Sequence, residues 1–419
     1  MKRPRMTLLP SLRRLRISLN KPEDASHSLL FVGEHVRELE LGCPPGAEKS
    51  KSHVSDFLDH CSSRVPNLKK FELRAYGPDS TGLSKETMDK FLSLIRGLEE
   101  FSGSLYCTTP EVFAALSQVP SLRSITFQHS ETDSIGCPDD VTVFSPSLLP
   151  GSFPNLTDLS LSLTFAAGSD LFALDFAHQL KKLVIHSPAL QEAAQIRCLL
   201  TGLSKSRRGL ERLVLSSVVD ASEEFLKGED GQETDLVTLE TLSPLLKFPS
   251  LNEFEITYHR PLKLTDSDVL DFLKQWPHLE VLRLCSEPLF IEKPLLTPDV
   301  LPGIAERCPK LRTLALFIDS QMHRSLSRFP EADQVRPFNA LQRIEFGRSP
   351  LKGEDIIGIC LVLSDMLSET CDIDNLSHID WLELDADDSE EDLWKRASEV
   401  LKAIIAGRGR ERMRAQRSL

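Results

Sequence analysis

The 419-residue sequence predicts a curved α/β solenoid, with parallel strands on a concave side and helices on a convex side. Three observations carry this expectation. One apolar unit recurs along the chain at a fairly even interval. Proline stands at a fixed place before many copies of it. Segments with helix-start signals fill the intervals. The unit has the form L-x-x-L-x-L, with Ile, Val or Phe able to replace Leu.

Taken in order, the copies are Leu12-Leu15-Ile17, Val36-Leu39-Leu41, Leu68-Phe71-Leu73, a degenerate Leu98-Phe101-Gly103, Leu122-Ile125-Phe127 and Leu156-Leu159-Leu161. Leu180-Leu183-Ile185, Leu210-Leu213-Leu215, Leu251-Phe254-Ile256, Leu279-Leu282-Leu284, Leu311-Leu314-Leu316, Leu341-Ile344-Phe346 and Ile379-Leu382-Leu384 complete thirteen units. The twelve intervals between residues 12 and 379 average about 31 residues and run from 24 to 41. The second half of each unit alternates apolar and polar, as a short strand with one buried face does. One unit cannot bury its own leucine row, but stacked units bury a continuous one. The expected fold is therefore a leucine-rich-repeat horseshoe.

Pro10, Pro66, Pro120, Pro154, Pro249, Pro277 and Pro309 each stand two residues before the first Leu of a unit. Proline there stops a preceding helix and starts the entry to the strand. Thr109-Pro110-Glu111 and Thr297-Pro298-Asp299 read as N-cap, first helical residue and first-turn acid. Thr265 to Asp268 reads as a capping box with Asp in place of Glu. Residues 1–388 form the predicted solenoid, with an exposed acidic insertion near 220–235 and a polar one over 321–338. Residues 389–407 form a capping helix that buries Leu393, Ala397, Val400, Leu401, Ile404 and Ile405 and ends at Gly407; residues 408–419 are a basic tail.

Composition narrows the function classes. Net charge is −13, which argues against general binding to nucleic acid or anionic membrane. The chain from Lys395 onward runs the other way, with eight Lys or Arg against two Glu. Nine cysteines, an odd number without a C-x-x-C pair, fit reduced thiols in the cytoplasm or nucleus. No apolar run follows the basic N-terminus, and none approaches the ~18 residues of a membrane span.

The [apolar]-Pro-x-Leu-x-x-Leu-x-Leu signature, clearest over Val65–Leu73, Trp276–Leu284 and Cys308–Leu316, resembles the repeats of fungal F-box proteins over residues 7–388. That resemblance implies a substrate-recognition component of a cullin-type ubiquitin ligase, binding its protein substrate on the concave face. The first unit begins at Leu12 and leaves no room for an F-box, so a Skp1-like adaptor is expected only if an F-box is supplied upstream. The alternative is a free-standing leucine-rich-repeat scaffold or regulator, of inhibitor or GTPase-activating type.

No enzyme, metal or cofactor site is expected. Leu200 to Ser206 lacks the first glycine and the Gly-Lys step of a phosphate loop. His53, His60 and Cys61 match no zinc spacing. The acids over 383–392 and Ser389 suit a solvated cap with a helix N-cap. The expected partner site lies where strand alternation aims side chains outward. Early units offer charge, from Arg14 and Arg16 through Glu40 and Lys70 to Arg74, and middle units offer Ser124, Thr126, Ser160 and Ser162. Late units offer Arg283, Ala315, Phe317, Arg343 and Trp381, rimmed by Glu345, Glu383 and Asp385. Of these, Arg283, Phe317, Arg343 and Trp381 have the composition of a binding hot spot.

Overall fold

A computed structural model of the chain describes residues 8–19, 21–43, 57–75, 91, 93–103, 108–127, 144–187, 189–217, 235–320, 337–374 and 388–417. Among these, thirteen strands lie in chain order, β1 to β13. They form two compact units. The first comprises Met1–Ala189 and Lys205–Arg207, and the second Leu190–Ser204 and Arg208–Leu419.

In the first unit, β1 (Arg14–Ser18), β2 (Glu38–Cys43), β3 (Lys70–Ala75), β4 (Glu100–Gly103), β5 (Ser124–Phe127), β6 (Asp158–Ser162) and β7 (Lys182–Ser187) pair in parallel. The register is the one the repeated unit demands. Leu15, Leu39, Phe71, Phe101, Ile125, Leu159 and Leu183 fall opposite one another, and all but Leu15 are buried. The degenerate unit keeps its register because Gly103 pairs with both Leu73 and Phe127. Phe71, Phe91 and Phe101 fill that layer, with ring centroids 6.0–6.2 Å apart. Helices α1 (Pro22–Ser28), α2 (Pro110–Leu116) and α3 (Phe165–Phe172) belong to this unit. Helix α2 starts as its sequence predicts, with the Thr109 hydroxyl accepting from the Val112 amide at 3.3 Å.

The second unit holds β8 (Arg212–Ser217), β9 (Glu253–Thr257), β10 (Val281–Leu284), β11 (Thr313–Leu316), β12 (Arg343–Glu345) and β13 (Asp372–Asp374), again parallel. Its helices are α4 (Ala193–Ser206), a single turn α5 (Leu239–Leu242), α6 (Asp266–Leu273), α7 (Val300–Arg307), α8 (Ile356–Met366) and α9 (Asp388–Arg417). Phe254, Leu282 and Leu284 of the strands meet Val269, Phe272 and Leu273 of α6 and Trp276. This apolar contact puts the helix on one face and leaves the other to polar residues. The capping box forms as predicted: the Thr265 amide donates to the Asp268 carboxylate at 2.8 Å, and the Asp268 amide to the Thr265 hydroxyl at 3.3 Å. All seven predicted prolines sit in turns that lead into strands.

Two expectations need correction, and one strand lies where none was expected. Helix α7 begins at Val300 and not after Thr297, because the Thr297 hydroxyl donates to the Asp266 carboxylate at 2.6 Å and a turn follows. The strand that follows β12 is Asp372–Asp374, with Ile373 opposite Ile344; the unit at Ile379-Leu382-Leu384 lies outside the described residues. Thr370 stands where the repeat unit has its first apolar residue, three before Ile373, so the pattern lapses at this strand. Finally, α9 does not end at Gly407 but continues to Arg417. Gly409 passes the Glu369 carboxylate, which occupies the place where a β-carbon would stand, and Arg408 pairs with Asp365 of α8. Most of the acidic insertion (218–234) and of the polar one (321–336) lies outside the described residues.

Candidate partner-binding face

Strand alternation places one residue of each strand centre on the open face. Across the second unit the paired positions are Glu255, Arg283, Ala315 and Glu345. Arg283 reaches across Ala315 to pair with Glu345, and its Nε lies 3.7 Å from Glu255. Glu345 also meets Arg343, whose Nε is 3.1 Å away. The Glu345 side chain is only 7% exposed, so two guanidinium groups compensate one nearly buried carboxylate. Burial pushes the Glu255 carboxyl above its ordinary range, against the pull of Arg283 and Arg212.

The predicted site residues therefore separate. Arg343 keeps a substantially exposed side chain on this face. Arg283 is on it too but is held between two acids. Ala315 is fully buried beneath the Arg283–Glu345 pair. Phe317 is 4% exposed, against the expectation that it stands outward. The chain segments following β10 and β12 close over the intervening strand end, joined by the Arg348 amide donating to the Ser286 carbonyl at 3.0 Å. The Arg348 guanidinium adds bonds to the Pro288 and Leu289 carbonyls, both at 3.1 Å. Gly347 makes the closure possible: its φ is +49°, and a β-carbon there would clash with the Ser286 carbonyl oxygen. Trp381, Glu383 and Asp385 lie outside the described residues.

Burial turns Phe317 into a core residue. Phe317→Ala should lower stability by about 3–5 kcal/mol, the usual range for emptying an aromatic site, where an exposed ring would cost little. Thermal or urea unfolding measures this directly; an unchanged midpoint would mean that the covering segments open freely.

The sequence reading missed a second polar cluster, at the C-terminal ends of β9 and β10. The Tyr258 hydroxyl donates to Asp235 at 2.7 Å, and the same carboxylate accepts the Ala193 amide of α4 at 2.7 Å. His259 lies against Tyr258 and Phe290, with ring centroids 4.1 and 6.1 Å apart. Glu292 receives Arg260 and Lys263, each at 2.7 Å, and Arg260 sits over the Phe290 ring. Cys285 turns the chain there at φ +47°, and burial pushes its thiol up to about 12. The run Tyr258-His259-Arg260 was the visible signal, but its partner Asp235 lies 23 residues earlier, at the end of an acidic stretch that reads as solvated.

Cysteines 61, 198, 285, 308, 360 and 371 are free thiols, and no helix among the described residues is long and apolar enough to cross a membrane. An open parallel sheet built on the L-x-x-L-x-L register, backed by helices, defines this chain as an α/β solenoid of leucine-rich repeats. No protein-family model and no curated protein matches it. Among solved structures, it is similar to one described as the yeast Rad7 and Elc1 complex, at 13% identity, with 74% of this chain and 70% of that one covered and a TM-score of 0.41. It is also similar to the leucine-rich repeat-containing protein LegL7 from Legionella pneumophila, at 9% identity, with 84% and 88% covered and a TM-score of 0.37.

Proposed function

We propose that this chain is a protein-binding module without catalytic chemistry, and that the open face of β9 to β12 contacts the partner. The observation that carries this reading is the row Glu255, Arg283, Glu345 and Arg343: a pre-organised charged lattice on a rigid sheet, with Arg343 projecting from it. Guanidinium groups present forked, planar donors, a geometry that suits recognition of an acidic or carbonyl-rich protein surface. The repeat signature over Val65–Leu73, Trp276–Leu284 and Cys308–Leu316 supports a finer assignment, substrate recognition for a cullin-type ubiquitin ligase acting in the cytoplasm or nucleus. A Skp1-like adaptor enters that assignment only if an F-box is supplied upstream.

The test is affinity capture of the intact protein from its native cells, followed by binding measurements on the purified partner. Arg343→Ala should weaken the complex by about 2 kcal/mol if the residue is a hot spot, and leave folding nearly unchanged. Ser160→Ala with Ser162→Ala, in the first unit, should do little. Arg283→Ala differs from both: it uncovers a nearly buried carboxylate and should destabilise the fold itself. Loss of the partner with the serine variant, and retention with Arg343→Ala, would place the interface elsewhere. Recovery of a Skp1-like adaptor and a cullin with the captured protein separates the ligase receptor from a free-standing scaffold.

A further inference from the structure

The residue just before each strand forms a row of its own in the first unit: Arg13, Arg37, Lys69, Glu99, Arg123, Thr157 and Lys181. The sheet ladder extends through these positions. Each amide in the row donates to the carbonyl of the preceding member at 2.7–2.8 Å. Their side chains therefore leave the sheet edge at the strand spacing of about 4.8 Å. The row carries five cations and one anion in a chain whose net charge is −13. The equivalent row of the second unit, Glu211, Asn252, Glu280, Arg312, Gln342 and Cys371, carries one cation and two anions.

Among the described residues, neighbouring positions do not cancel the charge of Arg13, Arg37 and Arg123. The next residue along each strand gives Arg14, Glu38, Lys70, Glu100, Ser124, Asp158 and Lys182, which pair among themselves: Arg14 with Glu38 at 2.5 Å, Lys70 with Glu100 at 3.2 Å, and Lys182 with Asp158 at 3.1 Å. In the first row Lys69 takes Glu99 at 2.7 Å. Arg37 donates to the Asn67 carbonyl at 2.9 Å, and neither it, Arg13 nor Arg123 has a carboxylate partner among the described residues. Arg13 and Arg123 are exposed. The Glu99 carboxyl is held below its ordinary range by the Lys69 hydrogen bond, with Arg123 adding to the pull.

We infer that this strand-entry edge of the first unit docks an extended acidic segment of a partner protein. Six strand spacings from Arg13 to Lys181 span about 29 Å, the length of roughly nine extended residues. Carboxylates along it would meet Arg13, Arg37 and Arg123, with a neutral residue over Glu99. A nucleic-acid strand suits the edge less well. In a duplex each strand carries a charge about every 3.4 Å along the axis, so phosphates would fall on Glu99 and beside Glu38, Glu100 and Asp158. This edge is a different surface from the β9 to β12 face, and neither assignment depends on the other.

The experiment is fluorescence anisotropy with the full chain and three labelled probes: the nine-residue peptide Glu-Ser-Glu-Ser-Ser-Ser-Glu-Ser-Glu, its counterpart with Gln for Glu, and a ten-base-pair DNA duplex. The acidic peptide should bind at least tenfold more tightly than the neutral one at low salt, and weaken as salt rises. Arg13→Glu with Arg123→Glu should remove that preference while the melting temperature stays put, and Arg312→Glu in the second unit should leave it intact. If charge reversal disturbs folding, Arg13→Gln with Arg123→Gln should still reduce binding several-fold. Equal binding of acidic and neutral peptides, equal loss with Arg312→Glu, or tighter binding of the DNA at matched salt would each overturn the assignment.

Discussion

Trp394→Ala should lower the stability of the second unit by about 3–5 kcal/mol, the cost of emptying a buried tryptophan site. The indole of Trp394 stacks on Phe346, with centroids 4.7 Å apart and planes 18° from parallel. Its Nε1 donates to the Ser349 carbonyl at 2.7 Å. Phe346 is the last apolar residue of the β12 unit, so α9 packs against the core at that repeat. Ala397, Leu401 and Ile405 continue the buried face, and the Ala397 carbonyl accepts the Cys360 thiol at 3.2 Å from α8. Alanine at 394 would leave both an aromatic void and an enclosed carbonyl without its donor. Lys402→Ala, on the exposed side of the same helix, should change stability by under about 0.5 kcal/mol. Removal of residues 388–419 should go further and make the second unit melt early or aggregate. Coincident thermal melts of the intact chain and the Trp394 variant would sink the capping role.

Mild acid should destabilise the protein through His259. The ring is 8% exposed, and its Nδ1 is enclosed without a hydrogen-bond partner among the described residues. Burial holds it near pKa 4; Asp235 and Glu292 pull upward and Arg260 downward. An unfolded chain protonates histidine near pH 6.5. Between these values the unfolded state binds more protons, so stability falls as pH falls through that window. The contribution is intact above pH 6.5 and has run its course below about pH 4, where both states are protonated. The window corresponds to about 2 kcal/mol between pH 7.5 and 5, at 1.36 kcal/mol per pH unit. Urea midpoints measured over that range should slope in the wild type, and the slope should shrink in His259→Phe, which keeps the ring contacts with Tyr258 and Phe290. An unchanged slope in the variant would assign the acid sensitivity to other groups.

Twelve of the thirteen strands among the described residues were legible without coordinates, because a strand buried on one face must repeat every second residue and a stacked unit must repeat its neighbour. Even Gly103, where a leucine should stand, kept its register, since the ladder hydrogen bonds on both sides do not depend on the side chain. The last strand was not legible. At Thr370 the apolar pattern lapses, and backbone pairing with β12 alone identifies it. Glycine at 407 read as a helix end, yet packing of α9 on α8 and the Arg408–Asp365 pair carry the helix onward.

The candidate site divides along the same line. Residue order settled which side chains leave the sheet at the strand centres, and so put Arg283 and Glu345 on one face with Arg343 beside them. The basic strand-entry row emerged only once the strand starts were placed, since each member precedes a strand by one residue. Alternation is a local rule and carries no information about what covers a surface. That Phe317 is buried depends on Ser286 meeting Arg348, residues 62 apart in the chain. That Asp235 is a structural acceptor and not a solvated acid depends on Tyr258 and Ala193, 23 and 42 residues away. Periodicity fixes direction through backbone geometry, which neighbouring residues share; burial and pairing arise from contacts between distant segments, and only the folded chain brings those together.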